Sequence, residues 1–188
     1  MKSKLPAPTQ AAAAKQAAEF LAKFDSKVAK LVRECRAALR KRLPTAIEVV
    51  YDNYNFLVFG FCTTERPSDC IVSLTANAKG AGLSFYYGAT LPDPHKLLQG
   101  GGSQNRFVRL PTAATLVDTH VAALIDAAIA QAKNPLPKSG EGYTIIKSIS
   151  KKQRPRKAAS ALSKRHRTAS GSSGAVLCRA TSLAVSVP

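Results

Sequence analysis

The chain has 188 residues, 45% of them hydrophobic, and a formal net charge of +17. That length suits one domain with extensions, and the apolar fraction is ordinary for a globular chain. No apolar run approaches the ~18 residues that span a bilayer, and no apolar stretch follows the basic start as in a secretory signal, so a soluble, cytoplasmic protein with no membrane partner is expected.

The charge is uneven. Residues 1–46 hold 11 Lys and Arg against 3 acids, residues 47–142 hold 7 against 8, and residues 143–188 hold 10 against none. The middle of the chain is thus near neutral, and the basicity lies in its flanks. This pattern describes a domain with electrostatic appendages rather than a dedicated nucleic-acid fold.

Residues 1–9, with Pro6 and Pro8, read as a flexible lead-in. The alanine-rich stretch from Gln10 to Phe24 predicts a helix, because alanine has the highest helix propensity. Asp25 or Ser26 can cap a second helix, in which Val28, Leu31, Val32, Cys35, Ala38 and Leu39 make one apolar stripe. Lys30, Arg33, Arg36, Arg40, Lys41 and Arg42 occupy the rest of its circumference. Those near its C-terminal end are read as opposing the helix dipole rather than as a ligand-binding face. Pro44 ends the helix.

Alternation over Ile47–Asp52 predicts a short strand, and Asp52-Asn53 a turn. The apolar run Phe56–Phe61 reads as a central strand, Cys70–Ala76 as a third and Leu83–Tyr87 as a fourth. Lys79-Gly80-Ala81-Gly82 supplies the hairpin turn between the last two. Gly88–Gly102 is a loop with a short helical turn, and Arg106–Leu110 a fifth strand with a poor alternation. Asp118 or Thr119 caps a third helix reaching about Lys133. Tyr143–Ile149 is either one more strand or an extended arm. The short connections make the strands antiparallel neighbours. The expected fold is α+β: a two-layer sandwich, an antiparallel meander of about five strands with helices on one face.

Chemistry is sparse. His95, His120 and His166 pair in sequence with no cysteine or acid in a recognised arrangement, so no nucleophile or base can be named. Cys35, Cys62, Cys70 and Cys178 show no zinc spacing. Cys62 and Cys70 can face each other at the base of a hairpin, but reduced, buried thiols are the default without a signal peptide. Gly100-Gly101-Gly102-Ser103 lacks the lysine of a phosphate loop and reads as a connector, although Arg106 and Arg109 follow it. Glu48, Asp52, Glu65 and Asp69 suit either an oxygen-rich patch for a hard cation or salt bridges to Arg66, Arg106 and Arg109; the salt bridges are preferred. Lys151–Arg167 is a basic tract able to hold nucleic-acid phosphates without sequence preference.

Five stretches together resemble the YdhG-like family, a bacterial family of unknown function. They are Tyr51-Asp52-Asn53-Tyr54-Asn55, Thr64–Asp69, Gly88–Pro94, Arg106–Leu110 and Ile146–Arg156. The resemblance covers roughly residues 15–157, so it places Lys-Gln-Arg-Pro-Arg, residues 152–156, inside the domain. It implies an antiparallel sheet with helices on one side. Some members resemble frataxin and are described as iron chaperones, a role that needs an acidic ridge. The first two helices here carry only Glu19, Asp25 and Glu34 against many cations.

The resulting expectation is a flexible stretch at 1–9, a YdhG-like domain at 10–157 and a disordered basic tail at 158–188. The domain is expected to bind a small molecule or a protein without catalysing a reaction. The candidate ligand-binding residues are Tyr51, Asp52, Asn53, Tyr54, Glu65, Arg66, Asp69, Arg106 and Arg109. No cofactor and no metal ligands are expected; iron binding of frataxin type and nucleic-acid association through the tail are the alternatives.

Overall fold

The computed structural model describes residues 10–157, so the expectations for 1–9 and 158–188 lie outside the described residues. Two helices come first, α1 (Gln10–Ala22) and α2 (Ser26–Arg42). Four strands follow: β1 (Ile47–Asp52), β2 (Leu57–Cys62), β3 (Cys70–Asn77) and β4 (Gly80–Phe85). Next come β5 (Arg106–Leu110), α3 (Thr119–Ala130) and β6 (Thr144–Ile149). None of the described helices is long and apolar enough to cross a membrane.

The sheet has six strands in the order β5-β4-β3-β2-β1-β6. β1 to β5 form the expected antiparallel meander. The expectation of a purely antiparallel sheet is corrected by β6, which returns across the helical layer and pairs with β1 in parallel, Val49 opposite Ile145. The sheet is therefore mixed. The long connection from β5 through α3 supplies the crossover that a parallel pairing requires.

One apolar core lies between the sheet and the three helices. The strands contribute Val50, Leu57, Phe59, Phe61, Val72, Leu74, Leu83 and Phe85; the helices contribute Phe20, Leu21, Val32, Cys35, Leu39, Leu124 and Ile125. Burying each large side chain is worth about 1.5–3 kcal/mol. Asp118 caps α3 by accepting hydrogen bonds from the backbone N–H groups of His120 and Val121. A smaller cluster, Val49, Cys62 and Cys70, lies apart from this core.

The entry to β6 depends on a close approach. The backbone N–H of Gly142 donates to the carbonyl of Pro44 at 2.8 Å. A Cβ on Gly142 would stand 1.9 Å from the carbonyl oxygen of Ala46, so this position admits glycine alone without a shift of the backbone.

Candidate functional site

The period of two in β1 sends Glu48, Val50 and Asp52 to the same face, and Val50 belongs to the main core. Two carboxylates are thus carried under the helices: Glu48 is 0% exposed and Asp52 is 1%. An isolated buried carboxylate is prohibitively costly, so each must find cations. Both do, and the partners come from the turn after α1, from α2 and from the segment after β6 rather than from Arg66, Arg106 or Arg109.

Glu48 accepts a two-pronged bond from Arg36, with Nε and Nη2 each at 2.6 Å from a carboxylate oxygen. Arg40 Nη1 lies 2.5 Å from Oε2, and the Thr144 hydroxyl donates to the same oxygen at 2.7 Å. The Arg36 guanidinium also lies over the Phe59 ring, 5.0 Å from its centroid. Asp52 accepts from Lys23 Nζ at 2.6 Å and from Arg156 Nη2 at 3.0 Å. Arg156 also donates to the carbonyl of Asn53 and packs over Phe24. Its Nε and Nη1 are buried without a hydrogen-bond partner among the described residues. The segment that carries it is tied to the β1–β2 turn, with Ser150 N–H donating to Asp52 O and Arg154 N–H to Tyr54 O.

The nine residues proposed from sequence do not meet in one cleft. Tyr51 and Asp52 point to opposite faces because they are successive strand residues. Asn53 and Tyr54 are exposed in the turn, Tyr54 beneath the guanidinium of Arg154. Glu65 accepts a bond from the Tyr143 hydroxyl, Asp69 accepts one from Thr64, and Arg66 is exposed. Asp69 lines a cavity of about 20 Å³, room for one water. Arg106 and Arg109 lie on β5, four strand positions from β1 and so roughly 19 Å away at ~4.8 Å per strand. The Arg106 guanidinium donates to the carbonyls of Gly102 and Asn105, which uses it to brace the glycine loop from within.

A groove that the sequence reading passed over lies between α1, α2 and β6, with a volume of about 480 Å³. Gln10 and Ala14 of α1 form one wall, and Arg33, Arg36, Ala37 and Arg40 of α2 the other. Thr144 of β6 closes the end, where its backbone N–H donates to the Gln10 side chain at 2.9 Å. The cations of α2 are thus more than a complement to the helix dipole. Arg36 and Arg40 neutralise Glu48, and Arg42 donates to Asp126 at 2.7 Å. Arg33 has no ion-pair or hydrogen-bond partner among the described residues. The sequence did contain a signal: Arg33, Arg36 and Arg40 at i, i+3 and i+7 share one helical face.

Cys35, Cys62 and Cys70 are buried free thiols. Cys62 and Cys70 face each other across β2 and β3. The hydrogen bond that the Cys62 thiol gives Cys70, together with burial, pushes Cys62 up. Burial, with Glu34 adding to it, pushes the Cys35 thiol up to about 11. The fold therefore favours neutral Cys35; that contribution is whole below about pH 9 and is lost as the pH rises through about 11. An iodoacetamide pulse at pH 8 should leave all three unmodified in the native protein and alkylate all three in urea. Native alkylation of Cys35 at the rate of a free thiol, read by mass spectrometry, would contradict this.

His95 and His120 stack with ring centroids 3.7 Å apart, a contact absent from the sequence reading. Among the described residues no group of three or more His, Cys, Asp or Glu gathers as a metal site would need. Comparison of the chain with protein-family models, with curated proteins and with solved structures finds no match in any of the three. What fold and geometry define is an α+β domain with two buried, cation-paired carboxylates and an open cationic groove.

Proposed function

We propose that the chain is a non-enzymatic binding domain of YdhG-like type and that its ligand is an anionic small molecule held in the groove between α1, α2 and β6. The observation that carries this reading is three arginines of one helix lining a single open groove of about 480 Å³. Arginine presents rigid donor forks suited to carboxylates and phosphates, and it stays charged at any working pH. Of these three, Arg36 and Arg40 alone pair with an acid among the described residues, and they share it.

Thermal unfolding tests the reading. Millimolar citrate, phosphate or sulfate should raise the melting temperature above that in chloride of equal ionic strength, because a ligand of the native state stabilises it by mass action. Arg33→Glu should remove the difference. The same rise in the variant and the parent would place the anions elsewhere and end the proposal.

Iron chaperoning has weaker support. Glu48 and Asp52, the two buried carboxylates among the described residues, are each occupied by two cations. The second reading, nucleic-acid association through Lys151–Arg167, draws on the exposure of Lys151, Lys152, Arg154 and Lys157. Arg156 is taken up by Asp52.

A further inference from the structure

We infer that the groove takes a compact tetrahedral dianion of the phosphate-monoester class, gripped from α2 by Arg33, Arg36 and Arg40. This rests on the reading of the groove as the binding site and goes further by naming the ligand's chemistry.

Charge sets the valence. Three guanidinium groups line the groove, and the one carboxylate bonded to any of them among the described residues is Glu48, which leaves an excess of two positive charges. A dianion matches this excess, and a monoanion leaves one cation without a counter-charge. Glu48 cannot serve as the counter-ion for Arg33 as well, because its oxygens already accept from Arg36, Arg40 and Thr144. Residues 1–9 and 158–188 contain no Asp or Glu, so no side chain there supplies the anion.

Donor geometry sets the shape. Arg36 spends Nε and Nη2 on Glu48, which leaves Nη1. Arg40 spends Nη1 on Glu48 and Thr144, which leaves Nε and Nη2. Arg33 retains its whole fork among the described residues. The three residues lie within two turns of helix, an axial span of about 10 Å. Long side chains from that span converge on one compact group with several oxygens, which phosphate supplies and a single carboxylate does not. Ala14 and Ala37 line the groove beside them without polar side-chain atoms, leaving an apolar bed for the group on the ester oxygen.

The test is calorimetry on the full chain at low salt with phenyl phosphate, inorganic phosphate, diphenyl phosphate, sulfate and succinate, at pH 7.5 and 5.5. Phenyl phosphate should bind at pH 7.5 and weaken at pH 5.5, because the second proton of a phosphate monoester titrates near pH 6. The charged groups at the groove are the α2 arginines and, bonded to two of them from β1, Glu48; Thr144 of β6 and Gln10 of α1 carry no charge. Sulfate stays a dianion throughout, so its affinity should hold constant and separate protonation of the ligand from any change in the protein. Diphenyl phosphate, a monoanion, should bind about tenfold more weakly or worse. Arg33→Glu should cost about tenfold or more in phenyl phosphate affinity, the loss expected for a bond between charged partners. Arg33→Gln serves if that variant fails to fold, and Lys79→Glu, the same charge change at an exposed hairpin tip, should leave affinity within about twofold.

Phenyl phosphate binding tighter than inorganic phosphate assigns the ligand to esters; equal affinity assigns it to free phosphate. Arg33-dependent binding of succinate with no phosphate or sulfate binding overturns the tetrahedral dianion but keeps the groove as the site. No Arg33-dependent binding of any anion overturns both.

Discussion

Glu48→Ala is expected to lower the folding stability by about 3 kcal/mol, the low end of the range for breaking a buried ion pair. Glu48 is fully buried and receives four hydrogen bonds, from Arg36, Arg40 and Thr144. Its removal leaves the Arg36 guanidinium, whose side chain is only 19% exposed, against Phe59 without a counter-charge. Arg40 is 37% exposed and can turn to water, so its bond is screened and adds little, which is why the low end applies. Urea denaturation gives the number. Glu48→Gln should fall between wild type and alanine, since an amide keeps an acceptor for one arginine while losing the charge. A loss under about 1 kcal/mol would mean that Arg36 leaves its place over Phe59, and the buried network would then carry no weight in the fold.

Arg156→Met is expected to cost about as much, and its reversal by a second substitution is the more informative result. The Arg156 side chain is 3% exposed and shares Asp52 with Lys23. Methionine leaves Asp52 buried with one cation, itself 40% exposed, a loss of about 3 kcal/mol. Yet the Nε and Nη1 groups of Arg156 are buried and unpaired among the described residues, and such groups cost about 1–3 kcal/mol, which offsets part of that loss. Asp52→Asn removes the buried charge that methionine leaves under-compensated, so the combination should be more stable than Arg156→Met alone by about 1–2 kcal/mol. Additive losses in this cycle would mean that Arg156 and Asp52 act independently.

The local elements were legible in the chain because their causes are local. The stripe Val28–Leu39 fixed α2, Asp118 fixed the start of α3, and the apolar run after Asn55 fixed β2 to within a residue. β6 was recognisable as extended, but its parallel pairing with β1 has no local signature: the contact joins residues such as Val49 and Ile145, far apart in the chain. The same distance hid the partners of the buried acids. Glu48 and Asp52 looked like surface carboxylates because their strand alternates with Ile47, Val49 and Tyr51, any of which could have faced the helices. The polar half of β1 faces them instead, and Arg36, Arg40, Lys23 and Arg156 are what make that orientation affordable. Of the candidate site, the residue types were readable and their convergence was not. Arg106 and Arg109 follow the glycine loop in sequence but lie at the far edge of the sheet from Asp52.

The pairing of Asp52 with Arg156 spans 104 positions of chain. At about 5–20 residues per second, a ribosome needs roughly 5–20 s to deliver the second partner after the first. Once β4 has been made, the meander β1–β4 can form its hairpins while Asp52 has only Lys23 and the outer edge of β1 stands unpaired. A nascent chain at this stage presents an open strand edge beside a partly neutralised acid, which is the arrangement that chaperones cover. β6, the last strand among the described residues, pairs with that outer edge of β1, and Arg156 from the segment after it completes the charge pairing of Asp52, so both contacts wait for the same late stretch of chain.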